Sequence, residues 1–291
     1  YYAHHMSTIE GGMVCTDNQD IYEMLRMYRS HGMVREISSK QLEHEYRESN
    51  PELNPDFIFA FPGVETFHHN PDSWYKKGGG PIIDMGPYFF TMLVHLLGPA
   101  KNVQSRGIKV KENRIIDAGP RKDEKVIVEV PTSYTFNVEF RSGALIQGFI
   151  SFDVINHQRN HMELYGTKGS MIVPDPNMFG GPVTISKEIG SEWVDHSVDA
   201  MHLGKVNIIN HSGRTNEAPQ QSNYRGAGLA DLIYAIENNT EHRCNGNLAL
   251  HVLDLIESTI NAAELGQEIT LQTTCNKPAP FTEDQISHIM K

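Results

Sequence analysis

The chain has 291 residues, of which 39% are hydrophobic, and a formal net charge of −11, which suffices for one large domain or two ordinary ones. The longest apolar stretch, at 88–97, is shorter than the ~18 residues of a membrane span, and lysines and arginines are scattered, so neither a membrane nor a nucleic acid is expected as a partner. Three widely separated cysteines, Cys15, Cys244 and Cys275, match no metal-binding spacing and indicate a reducing, cytoplasmic setting.

The first 63 residues have a texture of their own. We expect a short strand at 13–15, a helix at 18–29 with Ile21, Leu25 and Tyr28 on one face, a polar helix at 41–50, and a loop at 50–56 that carries two prolines. The chain starts without an initiator methionine, a basic segment or an apolar signal core, so the sequence predicts a fragment that begins inside a longer protein.

A strong helix is predicted after a loop at 67–80. Asp84 is expected at its N-cap and Pro87 in its first turn, and apolar residues then repeat at helical spacing. Gly98 and Pro99 are expected to end this helix because glycine and proline interrupt helical backbone.

After Lys101 the apolar period changes to two, which is typical of strands. Hairpin turns are expected at 142–143 and 166–169. Strands are predicted at 103–110, 126–130, 134–141, 144–154, 162–165, 170–173 and 269–272, and helices at 228–238 and 248–265, the second ended by Gly266. The predicted fold is therefore α/β of the α+β type: a large, mostly antiparallel open sheet with helices packed on one face, preceded by a small α/β fragment.

The segment 74–88 carries the chemistry. It is a glycine loop that leads into the start of a buried helix, and Asp84 and Tyr88 are four residues apart, on one helical face. A carboxylate and a phenol at such a place can bind sugar hydroxyls and transfer a proton. The structural alternatives are an N-cap for Asp84 and a core aromatic for Tyr88.

Segment 70–99 resembles the substrate domain of Gfo/Idh/MocA sugar dehydrogenases, and the resemblance continues in order through 151–154, 163–170 and 223–226. It implies hydride transfer between a sugar or cyclitol and NAD(P), with Asp84 and Tyr88 as the catalytic pair, and homo-oligomerisation through the open sheet. Many members have a histidine where this chain has Tyr88; a tyrosine there resembles the glucose–fructose oxidoreductase branch. In the family a lysine of the cofactor domain accompanies this residue.

The chain shows no cofactor-binding motif of that family. A dinucleotide site needs G-x-G-x-x-G between a strand and a helix, whereas Gly226 and Gly228 give only G-x-G, and Gly78–Gly80 lacks a third glycine at the right spacing. The family's Glu-Lys-Pro motif is absent too. We therefore expect no NAD(P)-binding residues and no activity from this chain alone.

Residues 1–14 resemble the pyridoxal-phosphate (PLP) site of DegT/StrS sugar aminotransferases, with His4 where the Schiff-base lysine belongs, as in the sugar 3-dehydrase branch. PLP binding is not expected, because the rest of the pocket is missing. The alternative for His4 and His5 is two surface histidines near the start of the chain. The resemblance also includes 57–63. We expect two parts, 1–63 and 64–291, joined near 61–65 as a chimera of two genes.

Four further residues are substrate-binding candidates: Trp74 by stacking on a sugar ring, Lys77 by meeting an anionic group, and His157 and Arg225 by lining a pocket. Packing, solvated loops and an ordinary surface lysine are the alternatives. His157 and His161 are four apart in a non-helical pattern, so no metal site is expected. Three functions remain open: a sugar oxidoreductase domain, a non-catalytic oligomerising or sugar-binding module, and a PLP-dependent sugar aminotransferase or dehydrase fragment.

Overall fold

A computed structural model describes residues 54–177, 179–197, 203–205, 208–209, 220–221, 224 and 226–289. The elements expected within the first 53 residues, His4 and Arg225 therefore lie outside the described residues.

Thirteen strands and five α-helices are present in the described part, together with two short 3-10 helices at Val64–Thr66 and Gly119–Arg121. The strands are β1 (Asn54–Ala60), β2 (Ala100–Ile108), β3 (Asn113–Ile115), β4 (Lys125–Ile127), β5 (Ser133–Phe140), β6 (Leu145–Ser151), β7 (Met162–Gly166), β8 (Gly169–Val173), β9 (Val183–Ser186), β10 (Val194–His196), β11 (Ile208–Ile209), β12 (Gln220–Gln221) and β13 (Ile269–Thr270). The helices are α1 (Asp72–Tyr75), α2 (Pro81–Leu97), α3 (Ala227–Asn238), α4 (Gly246–Leu265) and α5 (Glu283–Ile289).

Nine strands form one open sheet in the order β10-β9-β8-β7-β1-β6-β5-β2-β13. Only the β1–β6 pair is parallel among these neighbours; the other pairs are antiparallel. The predicted fold class, a large and mostly antiparallel open sheet, is confirmed.

Local signals located most of these elements. The turn at 142–143 closes the β5–β6 hairpin: Phe140 N–H donates to Ala144 O over 2.8 Å, and Gly143 has φ of 90°. Gly266 ends α4 with φ of 69°, as expected. The strand predicted at 126–130 is shorter: β4 pairs with β3 in a separate two-stranded sheet.

The strand β1 was not expected. The predicted loop at 50–56 is wrong from Asn54 onward, because these residues begin a strand between β6 and β7 in the middle of the sheet. Both faces of β1 are covered: Phe57 is 1% exposed and Ile58 is 4% exposed. The sheet thus includes residues on the N-terminal side of the predicted boundary at 63/64.

The N-cap of α2 lies four residues earlier than predicted. Gly80, with φ of 101°, is its N-cap, and Pro81 occupies its first position, where the fixed φ of proline suits a helix and no amide hydrogen is needed. Asp84 N–H donates to Gly80 O over 3.1 Å. Asp84 as N-cap is therefore wrong, and Pro87 lies inside the helix; Gly98, with φ of 83°, is the predicted C-cap.

The core lies between the sheet and the helices α2 and α4. Phe89 and Phe90 of α2 are fully buried on the sheet, and Leu255 and Ile256 of α4 join the same cluster. Gly86 lets the two helices approach closely, because an added Cβ would lie 3.0 Å from Ile256 Cγ1. The predicted packing of helices on one face is confirmed for this pair.

Candidate functional site

Asp84, Tyr88 and His157, three of the predicted site residues, lie near one edge of the sheet. β1 and β6 are parallel, so their carboxyl ends, Ala60 and Ser151, lie side by side, and β5 starts beside them at Ser133. The C-terminal end of α2 leads into β2, whose Ala100 pairs with Phe140 at the opposite edge. The N-terminal turns of α2 therefore lie at the edge where β1 and β6 end.

Asp84 and Tyr88 lie on these first turns of α2, and both side chains are half-buried. Their spacing of four residues places them on the same face of the helix. The ring of Phe89, the neighbour of Tyr88, packs 5.6 Å from the ring of Phe59 near the end of β1. The geometry thus gives one carboxylate and one phenol at the rim of the core; their predicted catalytic roles stay a prediction.

The glycine loop joins α1 to α2. Gly80 N–H donates to Trp74 O over 2.7 Å, and an added Cβ on Gly79 would lie 2.1 Å from Ser73 O, so this tight path requires glycine. Trp74 is half-buried, whereas Lys77 is exposed and its backbone amide donates to Glu129 Oε2 over 3.3 Å.

A buried ionic cluster, which we call the Arg114 cluster, lies behind this loop and was not predicted from the sequence. Arg114 in β3 has a side chain only 1% exposed; its guanidinium donates to Glu65 Oε1 over 2.8 Å and to Asp153. The Tyr75 hydroxyl donates to the other oxygen of Glu65. Burial, followed by the Glu65 contact, raises the pKa of Tyr75 well above its usual value.

Hydroxyl groups complete the cluster on the sheet side. Thr132 and Ser133 both donate to Asp153 Oδ2 over 2.6 Å, and Asp153 N–H donates to Ser151 Oγ over 3.0 Å. One feature of the sequence could have indicated this cluster. Arg114 and Val126 are the inward residues of a short two-stranded hairpin. An arginine at such an inward position indicates a buried partner.

His157 belongs to the connection from β6 to β7 at the same edge. It is half-buried, and its ring lies 6.4 Å from that of His161, whose carbonyl accepts from Ile58 N–H. Asp175 follows β8 nearby, and burial raises the pKa of its carboxyl group. Among the described residues, no group of three or more metal-binding side chains is positioned to hold a metal ion.

Over β2, β5 and β6, the second face of the sheet carries a polar groove. This groove, of about 480 Å³, lies beside the turn that follows α4. Its lining includes Gln104, Arg106, Thr135, Asn137 and Gln147. Glu268 of the turn accepts from Gln104 Nε2 over 2.9 Å.

The described residues do not fit a nicotinamide cofactor in the manner of a dinucleotide-binding fold. That site needs a glycine turn between a parallel strand and a helix. Gly78–Gly80 instead follows the helix α1, and Gly226, the N-cap of α3, comes after β12, a two-residue antiparallel strand. Within the described ranges, no helix has the length and apolar character needed to cross a membrane.

Two family models match different parts of the chain. Residues 57–172 match the GFO/IDH/MocA C-terminal domain, and residues 1–55 match the DegT/DnrJ/EryC1/StrS aminotransferase family. A stretch of 66 residues, 23% of this chain, is 35% identical to GDP-4-keto-6-deoxy-D-mannose 3-dehydratase of Escherichia coli O55:H7 and covers 17% of that protein. The enzyme of the same description from Yersinia pseudotuberculosis is 32% identical over 69 residues and is covered to 16%.

Solved structures share the fold at low identity. Levoglucosan dehydrogenase in complex with NADH matches 85% of this chain with a TM-score of 0.56 and 15% identity. An oxidoreductase domain protein from Kribbella flavida matches 84% with a TM-score of 0.54 and 16% identity. The chain spans 64% of the length of each of these two proteins. The chain thus shares its fold with these two oxidoreductases, and the family match itself is limited to residues 57–172.

Proposed function

We propose that this chain provides the substrate-binding and oligomerisation domain of an NAD(P)-dependent sugar or cyclitol oxidoreductase. The observation that carries the proposal is the match of residues 57–172 to the GFO/IDH/MocA C-terminal domain. The shared fold with a dehydrogenase solved with NADH supports it.

The sequence predicts a boundary between two parts of the chain at 63/64. Because β1 lies in the middle of the sheet, we propose instead that this domain begins near Asn54 and that the residues before it form a separate part.

The proposed site is the edge where β1 and β6 end. Asp84 orients the substrate hydroxyls, and Tyr88 transfers the proton. An ordinary tyrosine has a pKa of about 10 and is a poor base at neutral pH, so Tyr88 needs a neighbouring cation, which the family resemblance places in a cofactor domain. Trp74 in α1, Lys77 in the glycine loop and His157 in the β6–β7 connection line the proposed pocket. Arg225 stays a substrate-binding candidate from the sequence alone.

Sugar binding by the purified chain tests this site. Titrations with D-glucose and myo-inositol, followed by NMR shifts, are expected to show weak saturable binding of one of them. Asp84→Asn and Tyr88→Phe should each weaken it about tenfold, equivalent to ~1.4 kcal/mol. Asp195→Asn is the matched control, since Asp195 accepts from Thr184 in the distant β9–β10 hairpin. Equal affinities in all four proteins would refute the assignment of this site.

Activity is proposed to require a nucleotide-binding domain that these residues do not supply. Isothermal titration of the chain with NADH should therefore show no saturable binding, and mixing with sugar and NAD+ should give no absorbance at 340 nm. Tight NADH binding would contradict this part of the proposal. Sugar binding without any hydride transfer, even with a family cofactor domain added in trans, would favour the alternative of a non-catalytic sugar-binding module.

The open face of the sheet is proposed to pair with a second copy of the chain. Its centre carries the amides Gln104, Asn137 and Gln147, and large apolar side chains such as Leu145 and Tyr165 are exposed on the same face. Amides can pair with their own copies across a two-fold axis. Sedimentation should show a dimer or larger assembly, and Asn137→Lys with Gln147→Lys should shift it to monomer. Lys109→Gln, at an ion pair with Glu112 in the β2–β3 connection, is the control.

A second candidate concerns the first 55 residues only, which match the sugar aminotransferase family. We propose that they are a remnant of a PLP-dependent sugar aminotransferase or 3-dehydrase, joined to the oxidoreductase domain as a chimera. Addition of PLP should give no Schiff-base absorbance at about 415 nm from this position, since His4 cannot form an aldimine. Such a band, lost on His4→Ala but not on His5→Ala, would overturn this prediction.

A further inference from the structure

The Arg114 cluster connects three segments that are far apart in the chain. The Arg114 guanidinium binds Pro62 O over 2.9 Å, Glu65 Oε1 over 2.8 Å and Asp153. It thereby ties the β3–β4 hairpin to the segment after β1 and to the end of β6. Gly63, with φ of 115°, makes room for it: an added Cβ would lie 2.3 Å from Glu65 Oε2.

The charges in this cluster are sealed from solvent. Side-chain exposures are 1% for Arg114, 6% for Glu65 and 7% for Asp153. One guanidinium thus faces two carboxylates, which are further stabilised by hydroxyl donors. Removal of the counter-ion of a buried carboxylate strongly destabilises a protein. Arg114 therefore holds the three connected segments together.

The cluster reaches the glycine loop through Tyr75. The Tyr75 hydroxyl donates to Glu65, its ring lies 5.4 Å from the Arg114 guanidinium carbon, and its carbonyl accepts from Glu129 N–H over 2.7 Å. Gly80, five residues later, is the N-cap of α2. The position of Tyr75 therefore sets where the glycine loop starts and how α2 enters the site.

We propose that Arg114 is a positioning residue for the substrate site: through Glu65 and Tyr75 it fixes the glycine loop and the first turn of α2, and through Asp153 it fixes the β6–β7 connection. This inference rests on the proposed function, because the two elements that it aligns carry Asp84, Tyr88 and His157. Arg114 itself is too deeply buried to touch a ligand.

Lysine in place of arginine separates positioning from charge. Arg114→Lys keeps the positive charge, but an ammonium group lacks the planar fork that spans Glu65, Pro62 and Asp153 together. Tyr75→Phe removes only the hydroxyl that links the cluster to the glycine loop. Arg243→Lys is the matched control. Arg243 lies between α3 and α4 and forms a similarly buried ion pair with Asp231 of α3, over 2.5 Å.

Trp74 in α1 provides a reporter next to the glycine loop, because its carbonyl accepts from Gly80 N–H. The chain has two tryptophans, so Trp193→Phe leaves Trp74 as the single tryptophan, whose emission can be excited selectively at the red edge of the absorption band. In that background, Arg114→Lys and Tyr75→Phe are each expected to raise acrylamide quenching of Trp74 about twofold in the folded state, as local opening exposes the loop. They should also weaken binding of D-glucose or myo-inositol about tenfold. Arg243→Lys should lower the unfolding midpoint without changing either readout.

Two results would overturn the proposal. In the first, Arg114→Lys and Tyr75→Phe both fold and show the same acrylamide quenching of Trp74 and the same sugar affinity as the parent protein. Arg114 would then only stabilise the fold. If Arg114→Lys does not fold, the Tyr75→Phe variant provides the test, because it retains the ring and the ion pairs. Unchanged quenching of Trp74 in Tyr75→Phe would reject the proposal. If the parent protein binds neither sugar, the proposed function fails, whereas Trp74 quenching still decides whether Arg114 positions the loop.

Discussion

Phe57 stacks on Phe89, with ring centroids 5.0 Å apart and an angle of 16° between the rings. Phe57 belongs to β1, and Phe89 belongs to α2, the helix that carries Asp84 and Tyr88. The stack therefore links a strand that sequence analysis had placed outside the sugar-dehydrogenase-like part to the helix of the candidate site. It makes β1 a structural part of that site.

Deletion of β1 should abolish folding. A chain of residues 64–291, cut at the sequence-derived boundary, leaves β6 and β7 without the strand that pairs with both, and unpaired buried backbone groups are costly. A chain of residues 54–291 keeps the strand and is expected to fold. Soluble yield and urea unfolding followed by circular dichroism compare the two; cooperative unfolding of the shorter chain would contradict the prediction.

Phe57→Ala should destabilise the protein strongly. Phe57 is 1% exposed and contacts the rings of Phe89 and Phe136, and removal of a buried phenylalanine side chain costs about 3–5 kcal/mol. Phe67→Ala is the control: Phe67 is 61% exposed, so its loss should change the free energy of unfolding by less than ~1 kcal/mol. Similar urea midpoints for the two variants would reject the central packing role of Phe57.

Stability should decrease as the pH falls below about 6.5, in part because of His95. Burial lowers the pKa of His95 to about 4. Between that value and the ordinary histidine pKa of about 6.5, the unfolded chain binds a proton that the folded chain does not, so the free energy of unfolding falls by up to ~1.4 kcal/mol per pH unit. At pH values above this range, the contribution of His95 to the free energy of unfolding is fully present and no longer changes with pH.

Urea unfolding at pH 7.5, 6.0 and 5.0 measures this effect. His95→Gln should flatten the decrease, although its stability at pH 7.5 is lower, because His95 Nδ1 bonds Thr91 O over 2.8 Å. His69→Gln, at an exposed position, should retain the full decrease. An unchanged slope in His95→Gln would show that other groups cause the pH dependence.

The thiols of Cys275 and Cys244 should react slowly in the folded protein. Burial raises the pKa of Cys275 to about 11, and burial and Asp231 raise that of Cys244. Since the thiolate is the nucleophile, Cys275 should be labelled by iodoacetamide at pH 8 at least ~100-fold more slowly than an ordinary thiol. Cys15→Ser leaves these two thiols for mass spectrometry; labelling as fast as in urea would contradict the prediction.

Local signals in the sequence determined much of this fold. Turn residues and the alternation of apolar side chains act between neighbours, so the β5–β6 and β7–β8 hairpins and the ends of α2 and α4 at Gly98 and Gly266 were predictable. The same signals identified the glycine loop and the spacing of Asp84 and Tyr88, the parts of the candidate site that lie within one segment.

Only the tertiary structure decided how distant segments meet. The two prolines near β1 predicted a loop, but pairing with β6, some 90 residues later, and with β7 stabilises this strand against its local preference. The ion pair of Arg114 and Asp153 joins residues 39 positions apart and has no local pattern. Sequence therefore determined the glycine loop, the helix α2 and the spacing of Asp84 and Tyr88, whereas long-range packing decided that β1 and the Arg114 cluster lie beside them.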